Sequence, residues 1–178
     1  METSTPLMVY QLRVELLDSD PPIWRSVWIH PTTSLGELHR LLVATMGWSG
    51  QAEYSFSRPG PPPRQNLAPP TRLQTLLLES GDSLLYTYDP VQGWLHRLVL
   101  ESSSLADPAL KLPYCANGER QTPPEFCAGV WGYEDLLDRL SDPEDPDYDQ
   151  LWAQVGYDFD PERFDAAVVN QRLAALPS

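Results

Sequence analysis

The sequence is short of positive charge, and above all of lysine. Its 178 residues contain 12 Lys and Arg against 25 Asp and Glu, which gives a formal net charge of −13. Lys111 is the only lysine, and the bias toward Arg together with 19 prolines favours a GC-rich, bacterial source. Proteins that bind nucleic acid without sequence preference, or anionic membranes, need clustered cations to neutralise phosphates. We therefore predict no direct binding to nucleic acid or to a membrane surface.

Cysteine, long apolar runs and glycine-rich loops are scarce as well. The two cysteines, Cys115 and Cys127, cannot form a disulfide framework. No apolar run approaches the roughly 20 residues that span a bilayer, and the first residues lack the basic start of a signal peptide. We expect a cytoplasmic protein, in which free thiols are the rule. Without a glycine-rich phosphate loop, nucleotide binding has little support.

What the chain does have is acid, concentrated in its second part. Residues 1–100 carry a net charge of −2, and residues 101–178 carry −11. Eight acids and a single base, Arg139, lie between residues 134 and 149. The composition changes over residues 101–113, a Ser-, Ala- and Pro-containing stretch typical of a linker or surface loop. The six prolines of residues 59–70 predict another surface loop.

The first hundred residues predict a sheet crossed by one helix. Residues 10–16 alternate apolar and polar side chains, and residues 23–29 are rich in Trp and β-branched side chains, which indicates two strands of a hairpin. Ser34 and Glu37 have the spacing of a capping box, so a helix begins there and ends at Gly47. Three further strands are predicted at residues 53–57, 84–88 and 94–100, and a short helical turn at residues 73–78.

The second part predicts helices. Asp142 and Pro143 end the first of them, and Asp160 and Pro161 form the N-cap and first position of the last. The first helix has an apolar stripe made of Tyr133, Leu136, Leu137 and Leu140. Two short helices cannot form a core alone, so we expect them to pack on the sheet. The predicted fold class is therefore α+β, a β-hairpin, helix and strands in a β-grasp-like order with C-terminal helices packed on the sheet.

Four blocks of motifs resemble one known family. They are Pro21-Pro22-Ile23-Trp24-Arg25 with Leu38-His39 and Met46-Gly47-Trp48; Tyr86-Thr87-Tyr88-Asp89 with Gly93-Trp94-Leu95-His96; Cys115, Gly118-Glu119-Arg120, Pro123-Pro124-Glu125, Cys127, Gly129 and Gly132-Tyr133; and residues 159–164 with Val169-Asn170. The ordered set is similar to the Ri-plasmid open-reading-frame-three-like proteins, which occur on plasmids and in insertion elements and whose biochemical role is largely undefined. The resemblance implies one integrated α+β domain over residues 1–178, with a sheet-and-helix part at 7–100 and an acidic helical part at 101–178.

The chain departs from the family's pattern at its histidines and cysteines. Thr122 stands in place of the first cysteine of a Cys-Pro-Pro-Glu-Asp-Cys block, and residues 145–148 read Asp-Pro-Asp-Tyr in place of a His-Pro-Glu-His run. The family's His-Leu-His segment is Ala-Glu-Tyr here, at residues 52–54. If relatives use those side chains for a metal or for catalysis, this diverged member lacks most of them.

His96 and Asp89 are the candidates for catalysis. His96 alternates with Trp94 and Leu98, so these three side chains share one sheet face. The turn that ends at Gly93 allows Asp89 to approach the imidazole as a carboxylate that tunes a base. A histidine with a purely structural role is the simpler interpretation.

Cys115 and Cys127 are weak candidates for a metal site. They lie twelve residues apart and lack the short Cys-x-x-Cys pair common at zinc sites. A structural thiol pair is the better interpretation, and we predict no metal and no cofactor. His39 has no nucleophile or carboxylate at a suitable spacing and is interpreted as a packing or capping residue, and His30 as exposed.

Trp24, Arg25 and the acidic segment are the candidates for binding. Trp24 is interpreted as a core or rim aromatic, and Arg25 points the opposite way, toward an acid of the second part or a bound anion. A calcium loop is excluded because the acidic segment lacks the required Gly and Glu. We interpret the segment as a solvated face or a docking surface for a basic partner, through Glu144, Asp145, Asp147 and Asp149.

These observations favour a non-enzymatic binding or adaptor domain. Reactive side chains are missing while the Trp, Gly and Pro framework is kept, and the acidic part offers a surface for a protein partner, a basic one if charge directs the contact. Two alternatives stay open. One is a metal- or histidine-dependent enzyme that uses His96, Asp89 and the cysteines, and the other is an acidic nucleic-acid mimic that occupies a basic nucleic-acid-binding protein.

Overall fold

A six-stranded antiparallel sheet organises the computed structural model, which describes residues 5–177. Its strands are β1 (Leu7–Leu16), β2 (Ile23–Ile29), β3 (Tyr54–Ser57), β4 (Ser83–Tyr88), β5 (Trp94–Ala106) and β6 (Tyr114–Glu119). Across the sheet the order is β3-β4-β5-β1-β2-β6, and every neighbouring pair is antiparallel. The first strand of the chain therefore lies in the interior of the sheet.

The hairpin of β1 and β2 follows directly from the alternation in the sequence. Its register runs from Tyr10 opposite Ile29 to Leu16 opposite Ile23. From Tyr10 onward in β1 and throughout β2, every second side chain is buried and the intervening ones are partly exposed, as expected when successive side chains point to opposite faces. One face of the sheet thus carries the core, and the other contacts water.

Helix α1 (Leu35–Met46) lies on the buried face and has the predicted ends. The Ser34 hydroxyl accepts from the Glu37 N–H, and the Glu37 carboxylate accepts from the Ser34 N–H, so the capping box is confirmed. At the other end Gly47 adopts a left-handed conformation with φ of 76°, which only glycine adopts at little cost. The helix turns apolar side chains such as Leu38 and Leu42 into the core.

Helix α4 (Ala166–Ala174) packs against α1 and β6. Arg172 donates from Nε to the carbonyl of Ala44 at 2.7 Å and from Nη2 to that of Thr45 at 3.2 Å, so it caps the C-terminal turn of α1. On the same helix, Asn170 exchanges two side-chain hydrogen bonds with the backbone of Cys115 in β6. These contacts fix the last helix against α1 and β6.

The end of β5 and the start of the last helix differ from the sequence predictions. Strand β5 continues through Ala106, because residues 102–106 pair with the start of β1 after a bulge at residues 11 and 12. The last helix begins five residues later than predicted, since the Asp160–Pro161 stretch forms a turn in which the Arg163 N–H donates to the Asp160 carbonyl. Its N-cap is Asp165, whose side chain accepts from the Ala167 N–H.

The second part of the chain contributes more than helices. Strand β6 joins the edge of the sheet beside β2, and the predicted helix is α2 (Gly129–Leu140). It is followed by α3 (Tyr148–Val155), which the sequence analysis did not predict. The segment from residue 59 to 70 is a loop apart from one isolated bridge, as predicted.

The predicted α+β class is confirmed, with helices packed against the sheet. Its core joins the buried faces of β1, β2, β4 and β5 with side chains of α1, α2 and α4. Within residues 5–177, no helix is long and apolar enough to cross a bilayer.

Candidate functional site

His96 lies at the centre of the core rather than at a surface. Its side chain is fully buried in β5, and Trp94 and Leu98 share its face and its burial. The ring Nδ1 lies 3.2 Å from the carbonyl of Tyr86 on β4, while Nε2 has no hydrogen-bond partner among the described residues. Burial lowers the pKa of His96 to about 4, because the interior disfavours the charged imidazolium. The ring is therefore neutral at physiological pH.

An aromatic cluster surrounds this histidine. The rings of Trp48 and Tyr86 lie 5.4 and 5.2 Å from the His96 ring, centroid to centroid. Tyr86 also shares a hydrogen bond of 2.8 Å with Nδ1 of His39, whose ring stacks on Tyr54 at 3.6 Å. Burial, and to a smaller extent the charge of Arg40, lowers the pKa of His39 to about 4. Both histidines are thus packed among aromatic rings in their neutral form.

Glu125 closes the end of this cluster. Its carboxylate accepts hydrogen bonds from the Tyr88 hydroxyl and from the hydroxyl and backbone N–H of Ser49. Its backbone carbonyl accepts from the Trp94 indole at 3.1 Å. The neighbouring Pro123 carbonyl accepts from the Trp48 indole at 3.0 Å. Three segments that are remote in sequence are therefore tied together here.

The predicted approach of Asp89 to His96 does not occur. Asp89 lies in the β4–β5 turn with φ of 50°, and its carboxylate accepts from the Gln92 N–H at 3.2 Å. The residue directly opposite His96 is Tyr86, not Asp89. Asp89 therefore supports its own turn, and the imidazole is bonded to backbone instead.

The two cysteines lie in different elements. Cys115 is in β6 and its Sγ approaches the Asn117 carbonyl at 3.5 Å, whereas Cys127 precedes α2. Both are buried free thiols, and burial raises the pKa of Cys115 and raises that of Cys127 to about 12. Within residues 5–177, no three His, Cys, Asp or Glu side chains come together in a metal-binding arrangement.

Trp24 and Arg25 lie on opposite faces of β2, as the alternation indicated. Arg13 places its guanidinium carbon 4.3 Å above the Trp24 ring on the water-facing side. Arg25 is only 2% exposed and donates to the carbonyls of Trp24 and Glu119 and to the Thr122 hydroxyl. Burial lowers the pKa of Arg25 to about 10. Two of these three partners, Glu119 and Thr122, belong to the second part of the chain, but neither bonds through a carboxylate.

The acidic segment is partly neutralised by its single base. Arg139 binds Asp145 at 2.9 Å and Asp147 at 2.6 Å. Asp142 accepts from the Glu144 N–H, and Asp149 is exposed in the first turn of α3. Of the four acids predicted to bind a partner, Asp145 and Asp147 thus have an internal role, while the Glu144 and Asp149 carboxylates face water.

The first part of the acidic segment lies on α2 and forms a separate surface, whose residues were not among the predicted binding candidates. Trp131 is 71% exposed there, and the positions four and seven residues later are the exposed Asp135 and Asp138, which share one stripe of the helix. Glu134 lies beside them. We call Trp131, Glu134, Asp135 and Asp138 the α2 ridge. The apolar stripe of the same helix would have predicted it, since the ridge is the opposite face.

Two further exposed apolar side chains lie near the start of α2. Val91 is 90% and Phe126 is 45% exposed. The β4–β5 turn that carries Val91 touches the start of α2, where Gln92 accepts from the Ala128 N–H at 2.5 Å. Both side chains therefore belong to segments that meet at the N-terminal end of α2, the helix that carries the ridge.

Comparison with known proteins agrees with the motifs and with the fold. The family described as plasmid pRiA4b ORF-3-like protein matches residues 8–168. The chain belongs to this family. An uncharacterized protein of Sinorhizobium fredii, y4hQ, is similar to this family member, with 30% identity over 145 residues that cover 76% of this chain and 74% of the relative. The resemblance inferred from the ordered motifs is thereby confirmed.

A solved structure from the archaeon Methanosarcina mazei Go1 has the same fold. It is described as a protein of unknown function, is 28% identical, and superimposes with a TM-score of 0.80 over 90% of this chain and 96% of that one. The plasmid pRiA4b ORF-3-like fold is therefore kept at low identity. These relatives establish the family and the fold of the chain.

Proposed function

We propose that this family member is a non-enzymatic adaptor domain that docks a protein partner on the α2 ridge. The observation that carries the proposal is the exposure of Trp131 in line with Asp135 and Asp138. Tryptophan is enriched among the side chains that dominate binding energy at protein interfaces. A Trp that is 71% exposed, with Phe126 and Val91 nearby, leaves a large apolar surface in water. A partner that covers it removes that cost.

The charge of the ridge specifies the chemistry of the partner. Glu134, Asp135 and Asp138 form no ion pair within residues 5–177. They surround Trp131 with negative charge, which favours a partner segment that combines Lys or Arg with an apolar anchor. An arginine of that segment also stacks favourably on an indole ring. The partner we propose is therefore a basic, amphipathic protein segment.

The buried histidines and thiols support the non-enzymatic part of the proposal. General acid–base catalysis requires a titrating group within reach of a substrate. His96 is fully buried, and the pKa of both His96 and His39 lies far below the operating pH. The raised pKa values of Cys115 and Cys127 disfavour their nucleophilic thiolate forms.

The nucleic-acid mimic is the less favoured alternative for the acidic part. A mimic depends on an array of negative charge, and Arg139 partly neutralises that array by forming ion pairs with Asp145 and Asp147. The ridge also presents an indole ring where a phosphate mimic would present charge alone. These two features favour a mixed apolar and acidic interface.

The test is a quantitative capture from the native cytosol with four purified proteins. They are the full-length chain, Trp131→Ser, the double variant Asp135→Asn with Asp138→Asn, and the matched control Tyr157→Ser, which removes another exposed aromatic that is 76% accessible. We expect a partner that binds the parent and the Tyr157 variant equally and the Trp131 variant at least about tenfold more weakly, the loss typical of a hot-spot residue. The charge variant should weaken association at low salt and much less at high salt.

The outcomes separate the alternatives. Equal capture by the parent and Trp131→Ser contradicts the ridge as the docking site. If the Asp135→Asn, Asp138→Asn double variant loses the captured partner and Trp131→Ser keeps it, the nucleic-acid mimic is favoured. Turnover of a substrate by the purified chain that is abolished in His96→Gln, with folding unchanged, overturns the non-enzymatic function.

A further inference from the structure

A large cleft lies at the end of the molecule formed by the start of α1, the end of α4 and the segment before β6. Its volume is about 1240 Å³, which is sufficient for a metabolite-sized ligand. The cleft is separate from the α2 ridge, since none of the ridge residues lines it. Nothing in the proposed adaptor function uses it.

The charge of this cleft is opposite to that of the protein. Three of the twelve cations line it, Arg40, Arg72 and Lys111, together with His30. The only carboxylate in the lining is Glu37, whose pKa is lowered by its hydrogen bonds to Ser34 and, more weakly, by the two arginines. A cationic cleft on a chain with a net charge of −13 is a local feature that the composition does not predict.

The cations of the cleft have no partners in the described structure. Most other bases are engaged: Arg13, Arg120 and Arg139 form ion pairs, and three more donate to carbonyls, namely Arg25, Arg64 and Arg172. Among residues 5–177, six cations are left without an ion pair or side-chain hydrogen bond, and they are Arg40, Arg58, Arg72, Arg97, Lys111 and Arg163. Half of these six converge on one cleft.

An anion in this cleft has to be bound by side chains, because the backbone N–H groups at the start of α1 are not free to bind it. The first N–H groups of α1 are already satisfied, because Leu35 donates to the Thr71 carbonyl, Gly36 to the Pro69 carbonyl and Glu37 to the Ser34 hydroxyl. The guanidinium groups of Arg40 and Arg72 and the ammonium of Lys111 are the cationic donors that line the cleft. Guanidinium and ammonium groups bind phosphate and carboxylate oxygens with charge-assisted hydrogen bonds.

Part of the remaining lining is apolar. Leu112, Pro113, Leu173 and Leu176 contribute to it, and so does Tyr114, which is 37% exposed. Because of this lining, a ligand with an apolar body gains from contacts that an inorganic anion cannot make.

From this arrangement we infer that the cleft is a binding site for a small organic anion, in which Arg40, Arg72 and Lys111 hold a phosphate or carboxylate group and the apolar walls hold its hydrophobic body. Such a ligand neutralises the exposed cations and covers apolar surface at the same time. Occupancy of this site does not depend on partner binding at the α2 ridge.

A matched series of probes tests the inference by calorimetric titration of the full chain at low salt. The probes are 1-naphthyl phosphate, 1-naphthoate, the neutral 1-naphthol and inorganic phosphate. We expect at least one of the two organic anions to bind at least about tenfold more tightly than both 1-naphthol and inorganic phosphate. The reason is that 1-naphthol lacks the anionic group and inorganic phosphate lacks the apolar body. Tighter binding of the phosphate assigns phosphate esters, and tighter binding of the carboxylate assigns carboxylic acids.

Two variants locate the site. The double variant Arg40→Gln with Arg72→Gln should weaken binding of the organic anion at least about tenfold. The matched control is Arg97→Gln with Arg163→Gln, which removes two exposed cations outside the cleft. This control should change the affinity for the organic anion by less than about twofold, because distant surface charges are screened. Circular dichroism of both variants verifies that each is folded.

The single lysine supplies an independent readout. Acylation of Lys111 by a limiting amount of an amine-reactive reagent, followed by mass spectrometry, reports on one side chain in the cleft. We expect the organic anion to slow acylation of Lys111 and not that of the chain's terminal amine. The inference is overturned if neither organic anion binds at millimolar concentration, if the control variant weakens binding as much as the cleft variant, or if a bound anion leaves Lys111 unprotected.

Discussion

The ring of Phe164 covers the guanidinium of Arg25, with the Arg25 Cζ 4.6 Å from the ring centroid. Gly118 makes this contact possible, because a Cβ there would lie 2.8 Å from the Phe164 ring and 2.7 Å from the Trp24 carbonyl. The guanidinium is thereby sealed between the sheet and the segment before α4. Its charge is stabilised by carbonyl dipoles and the face of an aromatic ring rather than by a carboxylate.

The first prediction concerns this buried arginine. Arg25→Ala should reduce the free energy of unfolding by about 2–4 kcal/mol, because the carbonyl of Glu119 and the hydroxyl of Thr122 lose their donor and a cavity opens under Phe164. Urea denaturation at pH 7 measures the change. The exposed Arg97→Ala is the matched control and should change it by less than about 0.5 kcal/mol. Equal effects of the two substitutions would mean that the Arg25 contacts contribute little.

The second prediction is a pH dependence that originates at His96. The pKa of its imidazole falls from about 6.5 in the unfolded chain to about 4 in the folded protein, so the unfolded state binds more protons between these values. Stability is therefore fully present above pH 6.5 and is lost as the pH falls toward 4. Between pH 7.5 and 5.5 the contribution of His96 decreases by about 1.4 kcal/mol.

Comparison of variants isolates this contribution from that of other groups. His96→Phe replaces the ring by an aromatic that does not titrate, so the loss between pH 7.5 and 5.5 should be smaller than in the parent by that amount. His30→Gln, which removes an exposed imidazole, should leave the loss unchanged. If the parent and His96→Phe lose stability equally over this range, His96 is not buried in its neutral form.

Those parts of the fold that depend on neighbouring residues were predictable from the sequence. The capping box of Ser34 and Glu37 and the stop at Gly47 involve hydrogen bonds within one turn of helix, so the local sequence is sufficient to predict them. Residues 102–104 of β5 are three serines with little strand propensity, and they are extended because the start of β1 pairs with them. Asp160 and Pro161 satisfy a helix-start rule, yet the cap that forms is Asp165.

For the candidate sites, too, the features that depend on local sequence were predictable and those that depend on distant residues were not. The opposite orientations of Trp24 and Arg25 follow from the strand period alone. The partner of His96 does not, because Tyr86 reaches it through the register of β4 against β5. Glu125 is 37 residues from Tyr88 and 76 from Ser49 in sequence, and nothing local to any of them indicates the contact. The cleft cations converge only when the segment before β6 meets α1 and α4.

The third prediction concerns the bond between Tyr88 and Glu125. Tyr88→Phe removes a hydroxyl that donates to the Glu125 carboxylate and accepts from the Gly50 N–H, and should cost about 1–2 kcal/mol of unfolding free energy. Hydrogen exchange of the amides in residues 121–128 should accelerate, because this segment is held by Glu125. Tyr114→Phe is the control, since its hydroxyl makes no hydrogen bond within the described residues. Unchanged exchange in Tyr88→Phe would show that the backbone contacts of Trp94 and Trp48 suffice to hold the segment.

The fourth prediction tests whether the two thiols are free and protected. Burial raises the pKa of the Cys127 thiol to about 12, so only about one molecule in ten thousand carries its thiolate at pH 8. Cys115 is completely inaccessible, with a pKa that burial also raises. A thiol-specific chromogenic disulfide reagent should therefore react slowly with the native protein, at a rate limited by opening of the structure. In denaturant without reductant it should titrate two thiols at once, since both cysteines are free in the folded chain. Release of no thiol in denaturant would show that Cys115 and Cys127 had formed a disulfide, and rapid reaction of the native protein would show that one of them reaches the surface.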